Sequence, residues 1–470
     1  MGNGQMNETR RAKSKKHVVA LAGVLILVMI TFTVVFANNG QAGDLVVFRD
    51  GDLLELDNNH FEVVTGTTRF GRLNGFAEVV NEDGTIFSGY FRHGLRHGRG
   101  LLTTASFIYD GYWHRDVKHG FGTIEFTDGA TFTGYFRNGK PHGTGSFISD
   151  WNITEGTWYE GINDGFSFVV YSDGSVYFGG WNDGLPHGAG EIRHRSGFTY
   201  IGGFYAGLRH GEGRLYINGE LEYAGSWVND RRTGFGVYTS PDGYRYEGYW
   251  LNDLRHGSGT LNFTNGSVHV GYWFEDLEHG QGRFECAINE FTFDGDWYHG
   301  AMQGHGEINF SDGGSYVGEF FANQFHGFGR YTSAAGWSYE GDFYHGIRHG
   351  QGLYVFVDGS YYRGQWVNGL EHGQGVFRDI TGWTYDGAWE YGIMSGFGSL
   401  LYSNGATHVG YFYGNRPNGF GTRTYIDTLG QYFATFEGNF EDGRRSGFGT
   451  LTHASGTVLS GTWDGDNFRQ

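Results

Sequence analysis

One glycine recurs at a nearly fixed interval through most of this 470-residue chain, and this repeat constrains the fold more than any other feature. It runs from Gly66 to Gly461 in steps of 22 to 24 residues, with a single step of 28 before Gly438. Trp or Phe lies two residues after it in 17 of the 18 cases, and Phe or Tyr lies two residues before it in 13. A second glycine follows nine residues after the first in all 17 complete units. Such self-similarity predicts a tandem array in which each unit packs on its neighbours.

The residues of one unit predict a β-hairpin. Tyr362, Gly364 and Trp366 share one strand face because side chains alternate with period two, and we expect a ring from a neighbouring strand to lie over the bare glycine. The residue five positions after the first glycine is Gly, Asp or Asn in all 18 units, and these types tolerate the positive φ of tight hairpin turns. Gly373 and Gly375 then open the return strand, and we expect them to face the same way.

The composition fits this geometry and excludes several other classes of protein. The chain has 86 glycines, only 4 prolines and 18% aromatic residues, which excludes collagen and flexible glycine-rich disorder and argues against a conventional enzyme core. Because a lone hairpin is marginal in water, the units must stack. We therefore predict an all-β fold, an elongated single-layer antiparallel array of about 36 strands and on the order of 170 Å long.

The consensus resembles the MORN (membrane occupation and recognition nexus) repeat family. The resemblance rests on a Tyr-x-Gly-x-Trp/Phe segment followed by His-Gly-x-Gly, and it covers residues 60–470 as about 17 repeats plus a terminal half-repeat. It implies a non-catalytic scaffold or protein-binding platform, often near membranes. The repeat positions that carry it are Tyr177, Gly179, Trp181, Gly188, Tyr246, Gly248, Trp250, Gly257, Tyr339, Gly341, Phe343, Gly350, Tyr362, Gly364, Trp366 and Gly373.

The N-terminal region predicts a membrane anchor. Residues 1–17 form a basic tail, residues 18–37 are uncharged and long enough to cross a bilayer as a helix, and residues 38–59 form an acidic linker. The positive-inside rule then places the N-terminus in the cytoplasm and the repeats in a lumenal or extracellular compartment. The alternative is a cleaved signal peptide ending at Ala37.

Charge and cysteine content limit the partners. The formal net charge of −18 makes nucleic acid a poor partner, since an acidic body repels phosphate backbones. The single cysteine, Cys286, cannot form an intramolecular disulfide and is predicted to be an inert thiol.

A histidine precedes the second glycine in ten units, which raises the question of a metal array or a pH switch. Equivalent positions in successive hairpins lie about 9 to 10 Å apart, too far to share a zinc ion whose nitrogen ligands lie at about 2.0 to 2.1 Å, so we favour a structural role as hydrogen-bonding turn residues. No helix follows the Gly-x-Gly pairs, which argues against a phosphate cradle. These histidines are His97, His119, His142, His187, His210, His256, His279, His326, His349 and His372.

The sequence therefore predicts a membrane-anchored repeat scaffold that binds or organises partner proteins and associates with itself through sheet edges or faces, with no catalytic residue, metal or cofactor. The alternative is an extracellular or lumenal protein whose aromatic rows stack on glycans, although core packing is the favoured role of those rings. Four Asn-x-Ser/Thr sequons are candidate N-glycosylation sites in such a compartment, namely Asn152, Asn262, Asn265 and Asn309. Two departures from the consensus are a degenerate first unit, predicted to be a cap, and a five-residue insertion in 427–436, predicted to form a bulged loop.

Overall fold

The computed structural model describes residues 61–69 and 72–469, and every regular element in these ranges is a β-strand. The basic tail, the predicted transmembrane segment and the linker lie outside the described residues. Among the residues described, no helix is long and apolar enough to span a membrane. The chain divides into two compact units, the first ending at Arg232 and the second beginning at Thr233.

In the first unit, each strand pairs antiparallel with the next one along the chain. Its strands are β1 (Phe61–Arg69), β2 (Arg72–Asn81), β3 (Ile86–Arg92), β4 (Leu95–Thr103), β5 (Phe107–His114), β6 (Val117–Phe126), β7 (Thr131–Arg137), β8 (Lys140–Ile148), β9 (Asn152–Tyr159), β10 (Ile162–Tyr171), β11 (Val176–Asn182), β12 (Leu185–Arg193), β13 (Phe198–Tyr205), β14 (Leu208–Ile217) and β15 (Glu220–Val228).

The second unit has the same succession of strands. Its first strand, β16, begins two residues before the boundary between the units. Its strands are β16 (Arg231–Thr239), β17 (Arg245–Leu251), β18 (Leu254–Asn262), β19 (Val268–Phe274), β20 (Leu277–Cys286), β21 (Phe291–Tyr298), β22 (Ala301–Phe310), β23 (Ser315–Phe321), β24 (Gln324–Thr332), β25 (Ser338–Tyr344), β26 (Ile347–Val355), β27 (Tyr361–Val367), β28 (Leu370–Arg378), β29 (Thr384–Glu390), β30 (Ile393–Leu401), β31 (Thr407–Tyr413), β32 (Arg416–Ile426), β33 (Tyr432–Glu441), β34 (Arg444–His453), β35 (Val458–Asp464) and β36 (Asn467–Arg469).

The repeat glycines form a row that crosses the strands. Gly364 pairs with Gly375, which in turn pairs with Gly387, and the same register recurs from hairpin to hairpin. A residue with a side chain at this level would push neighbouring strands apart, since a Cβ built on Gly364 would lie 2.5 Å from the Cα of Gly375. The row therefore sets a common register for all hairpins of a unit.

The hairpin turns have the predicted backbone. In the turn between β17 and β18, Asn252 has φ 51° and Asp253 has φ 71°, as a type I′ turn requires at both central residues. This explains why the position five residues after the first glycine admits only Gly, Asp and Asn.

The second glycine of each unit does not behave as predicted. Gly373 has φ +62°, and the pairing of β27 with β28 shifts register between Gly364 and Gln365. A Cβ on Gly373 would meet the side chain of Gln365, whereas a Cβ on Gly375 would meet the ring of Tyr362. The prediction that the two glycines face the same way is wrong, because a β-bulge at Gly373 rotates the chain between them.

The insertion near the C-terminus lengthens its hairpin, so that β32 and β33 span 11 and 10 residues and pair as far as Ile426 and Tyr432. The pairing shifts register between Tyr425 and Ile426, so the lengthened hairpin is irregular within the predicted bulged region. The last hairpin ends in the three-residue strand β36, whose Phe468 ring lies beside Gly461.

Candidate functional site

In each unit, one face of the sheet, which we call the inner face, holds a zipper of aromatic rings. The ring of Tyr362 meets Trp366 of its own strand at 5.1 Å and Trp389 of the next hairpin at 5.2 Å, both edge to face. Its hydroxyl donates to the carbonyl of Gln365 at 3.0 Å. Edge-to-face pairs of this kind each contribute roughly 0.5 to 1.5 kcal/mol beyond area burial. The rings that define the repeat therefore hold successive hairpins together.

The glycines provide the space in which these rings lie. A Cβ on Gly375 would lie 2.2 Å from the hydroxyl of Tyr362, and a Cβ on Gly364 would lie 2.5 Å from the same atom. We expected a ring from a neighbouring strand over each first glycine. Instead, Tyr362 covers both the glycine of its own strand and the glycine of the next one.

An arginine clamp adds a second link between hairpins. The guanidinium carbon of Arg255 lies 4.2 Å from the ring centre of Trp273, in the next hairpin. Asp276 accepts bonds from the Arg255 backbone N–H at 2.9 Å and from its Nε at 3.0 Å. Asp276 sits at the positive-φ position of the turn, where its φ is 70°. An aspartate at this position therefore has two roles: it adopts the positive φ of its own turn, and it binds the arginine of the preceding hairpin.

Two histidines replace tyrosine in the zipper of the second unit. His269 and His408 are fully buried, and neither ring nitrogen of either residue has a hydrogen-bond partner. Burial, with a smaller effect of Arg255, lowers the pKa of His269 to about 4. Burial, with a smaller effect of Arg423, lowers the pKa of His408 to about 3. Both rings are therefore held neutral in the folded protein.

One hairpin of the first unit interrupts the zipper. Thr154 stands where its neighbours have a ring, and Ser167 stands in the glycine row between Gly156 and Gly179. The Ser167 hydroxyl occupies the space of the missing ring and donates to Oδ1 of the buried Asn163 at 2.6 Å. The result is a buried polar cluster, which we call the polar pocket, among the rings of the inner face.

The sequence-predicted repeat positions fall into three structural classes. The first-position tyrosines are fully buried, and the ring two residues after each first glycine is buried except for the half-buried Trp181. The first glycines belong to the glycine row, and the second glycines lie at bulges. The buried rings of this set pack edge to face against one another and are not accessible for stacking on glycans. The buried tyrosines are Tyr177, Tyr246, Tyr339 and Tyr362; the first glycines are Gly179, Gly248, Gly341 and Gly364; the bulge glycines are Gly188, Gly257, Gly350 and Gly373; and the buried second rings are Trp250, Phe343 and Trp366.

The ten consensus histidines lie in strands on the opposite, outer face, and not in turns. His279, for example, lies 5.6 Å from the ring of Phe274 and 5.4 Å from that of His299. Six of the ten have a buried Nδ1 with no hydrogen-bond partner, so their side chains act by packing. Within 61–69 and 72–469, no group of three ligating side chains could hold a metal ion.

The sequons and the thiol have different surroundings. Asn265 and Asn309 are exposed, whereas Asn152 and Asn262 are half-buried. The Oδ1 atom of Asn152 is buried without a partner. Cys286 is half-buried at the end of β20.

A second set of rings covers the outer face, and the sequence analysis did not single it out. Each ring directly follows a repeat glycine, so it points away from the zipper, and each is between 44% and 67% exposed. An exposed aromatic set of this size marks an interaction surface in soluble proteins. We call it the outer aromatic row, and it consists of Phe76, Tyr90, Tyr112, Phe121, Tyr135 and Phe166 in the first unit and Phe235, Tyr249, Tyr272, Phe328, Phe397, Tyr411, Phe420 and Phe448 in the second.

A shallow cleft of about 730 Å³ runs along this row in the second unit. Its floor is the backbone of the glycine row, including Gly259, which leaves room for close approach of a ligand. Phe235, Tyr249 and Tyr272 form one wall, and Val270 lies in the other. The rings of Phe235 and Tyr249 meet at 5.7 Å, so the wall is continuous across two strands.

Comparison with known proteins identifies the family. Comparison with curated proteins finds no significant match. The TCP10 domain of Danio rerio CPAP in complex with a STIL peptide is similar at 14% identity and a TM-score of 0.27, over 52% of this chain and 100% of that domain. The TCP domain of Drosophila melanogaster SAS-4, in complex with a proline-rich motif of Ana2, is similar at 8% identity and a TM-score of 0.22, over 33% of this chain and 85% of that one.

The MORN repeat model matches this chain 15 times, and the matches together cover more than half of it. The gap between 152 and 177 contains the hairpin in which Thr154 and Ser167 replace the ring and the glycine. The matches are 87–106, 109–131, 132–152, 177–198, 200–220, 223–243, 246–268, 269–289, 293–315, 316–338, 339–361, 362–384, 385–407, 408–428 and 436–458. The chain belongs to the MORN repeat family.

Proposed function

We propose that this protein is a non-catalytic, membrane-anchored scaffold that binds segments of partner proteins on the outer faces of its repeats. The observation that carries the proposal is the separation of two aromatic sets. The zipper rings are buried and hold the hairpins together, whereas the outer aromatic row is half-exposed and no second layer formed by the described residues covers it. Exposed rings of this kind supply the contact area of binding hot spots.

The cleft in the second unit suits an extended polypeptide. A glycine floor lets a ligand backbone approach the sheet, and the wall of Phe235, Tyr249 and Tyr272 offers apolar area to its side chains. The charged residue Glu247 and the polar residue Thr260 lie along the cleft and can fix the orientation of a bound segment.

A site-specific photocrosslinking experiment tests this function. A photoreactive phenylalanine analogue is placed at Tyr249 in the full chain, and the same analogue is placed at the buried Tyr246 as the matched control. We expect discrete protein adducts from position 249 that disappear in a Tyr272→Ser background. Equal adducts from both positions, or adducts insensitive to Tyr272→Ser, would contradict binding on the outer face.

The membrane anchor is a separate part of the proposal. Residues 18–37 have the length and apolarity of a spanning helix, and the basic flank favours a cytoplasmic N-terminus with the repeats on the other side. Protease protection of the repeats in intact vesicles tests this arrangement. Digestion of the repeats before the vesicles are opened, in cytoplasmic-side-out vesicles, would contradict it.

A further inference from the structure

The outer faces of different repeats carry different charges, and the first unit contains a basic stretch. On each strand from β3 to β8, one outward-facing residue directly follows a repeat glycine, and together these residues form a column across the strands. In strand order they are Tyr90, Arg99, Tyr112, Phe121, Tyr135 and Thr144. A second column runs beside the first, two residues closer to the turns that join β3 to β4, β5 to β6 and β7 to β8. It consists of Arg92, His97, His114, His119, Arg137 and His142. Neither column contains an Asp or Glu. We call the two columns together the basic strip.

Contacts within the strip show that its members are close together. The ring of His114 lies 5.1 Å from that of His97 and 5.7 Å from that of His119, which places three histidines on three successive strands. Arg99 forms an ion pair with Asp110 at 3.1 Å, so its charge is already balanced. The main outward-facing cations of the strip are therefore the exposed Arg92 and Arg137.

The positive character of this strip is visible at His97. Burial first, and then the charges of His114, Arg92 and Arg115, lower the pKa of His97. Several cations therefore act on one point of the surface. An anionic ligand would relieve this repulsion.

On three strands of the second unit, the position that directly follows the first glycine is acidic instead. Asp296, Glu319 and Asp342 directly follow the repeat glycines in β21, β23 and β25. Each uses its carboxylate to accept a backbone N–H at the adjacent bulge, as Asp342 does from Gln351 at 2.8 Å. The position after the first glycine is therefore aromatic and flanked by cations in β3, β5 and β7. In β21, β23 and β25 it is acidic, and its carboxylate is hydrogen-bonded to the backbone.

From this geometry we infer that the basic strip of β3–β8 is the docking surface for an acidic, apolar, extended segment of a partner protein. The inference rests on the proposed function and adds the chemistry of the partner. Apolar side chains pack between the rings of Tyr90, Tyr112 and Tyr135, and carboxylates face Arg92, Arg137 and the histidine column. The acidic chain as a whole, with its net charge of −18, disfavours long polyanions such as nucleic acid and leaves a short acidic segment as the matching partner.

Fluorescence anisotropy on the full chain in detergent tests this inference. The probe is a labelled synthetic 14-residue peptide that alternates Asp or Glu with Leu and Phe, and its counterpart carries Lys in place of every acid. We expect the acidic peptide alone to bind. We expect Arg92→Glu/Arg137→Glu to weaken its binding about tenfold or more, with a steep loss on raising salt from 0.05 to 0.5 M. Arg330→Glu, an exposed charge reversal on the outer face of the second unit, is the matched control and should leave the affinity unchanged.

A further variant separates the inference from the proposed function. Tyr112→Ser/Tyr135→Ser should abolish binding of the acidic peptide, while the far-ultraviolet spectrum and the unfolding midpoint of the chain stay unchanged.

Several results would overturn the inference. If Tyr112→Ser/Tyr135→Ser abolishes binding but Arg92→Glu/Arg137→Glu does not, the aromatic row binds peptides and the acidic specificity is wrong. Equal affinity of the chain for the acidic peptide and the lysine peptide would likewise show that the acidic specificity is wrong. Tighter binding of a single-stranded oligonucleotide, or dimerisation of the chain that Arg92→Glu/Arg137→Glu abolishes in sedimentation, would replace the acidic segment by another occupant.

Discussion

The two histidines in the zipper make the second unit sensitive to acid. Because the folded protein holds both rings neutral, the unfolded chain binds protons that the folded chain does not, and stability falls as the pH drops below the ordinary histidine pKa of about 6.5. The loss continues down to the folded pKa of about 4 for His269 and about 3 for His408. At pH 5 these shifts correspond to about 2 kcal/mol for each histidine relative to pH 8. The expected total of about 4 kcal/mol is a large part of the roughly 5 to 15 kcal/mol that holds a typical protein folded.

Replacement by the consensus residue removes this sensitivity. Tyrosine occupies the equivalent position in neighbouring hairpins, where Tyr246 donates to the carbonyl of Tyr249 at 3.1 Å. His269→Tyr/His408→Tyr should therefore raise stability at pH 8 and remove about 4 kcal/mol of the loss between pH 8 and pH 5. His326→Gln, which alters a consensus histidine of the outer face, is the matched control.

Urea unfolding followed by tryptophan fluorescence measures these effects, because Trp273 and Trp297 contact His269 at 5.1 and 4.9 Å. Other titrating groups nearby, including Glu278, whose pKa is raised by burial, are present in both proteins and cancel in the comparison. An equal loss of stability on acidification in the wild type and the double variant would refute the reasoning. The same rescue by His326→Gln would also refute it.

Three further predictions test the packing of the inner face and the hairpin turns. Gly375→Ala should cost at least 2 kcal/mol, on the order of an overpacked core, because its Cβ would lie 2.2 Å from the hydroxyl of Tyr362; thermal unfolding within 0.5 kcal/mol of the wild type would contradict this. Asp276→Gly should cost about 1 to 3 kcal/mol through the lost clamp, and Asp276→Ala about 1 kcal/mol more through its positive φ, so equal urea midpoints for the two variants would contradict the turn argument. Thr154→Tyr/Ser167→Gly should restore the zipper and raise the unfolding temperature, whereas each single change should lower it; additive single effects in a double-mutant cycle would show that the two sites are not coupled.

The periodic features of the sequence predict most of the fold because each has a single geometric cause. Alternation of rings about Gly364 predicts a strand face, and the restricted residues at positions such as Asp253 predict tight turns. Repetition then predicts the hairpin array, and the family matches and the strands confirm it.

Two features of the hairpins could not be predicted because residue type and spacing alone do not distinguish them. The bulge at Gly373 could not be inferred, since a glycine with positive φ and a glycine facing a ring are the same letter in the sequence. The hairpin with Thr154 and Ser167 follows the glycine spacing, so its polar pocket appears only when the missing ring is located in space.

The outer aromatic row escaped prediction for a different reason. Its positions hold Tyr or Phe in some hairpins and Thr, Ser, Ala, Gly, Asn, Gln, Asp, Glu, Arg or His in others, so they lie outside the consensus that defines the repeat. Alternation with period two was the available signal, because a ring directly after a repeat glycine must point away from the zipper. Variation within a fixed frame is what a scaffold needs to bind different partners along its length.

The most direct test of the account compares the two aromatic rows on the same strand. Tyr109 belongs to the buried zipper and Tyr112 to the exposed outer row, and both lie in β5. Tyr109→Ser should lower the stability of the chain by about 3 to 5 kcal/mol. Tyr112→Ser should leave stability within about 0.5 kcal/mol of the wild type and weaken binding of the acidic peptide. Loss of stability in Tyr112→Ser, or unchanged peptide binding by a folded Tyr112→Ser chain, would contradict the division into a structural face and a binding face.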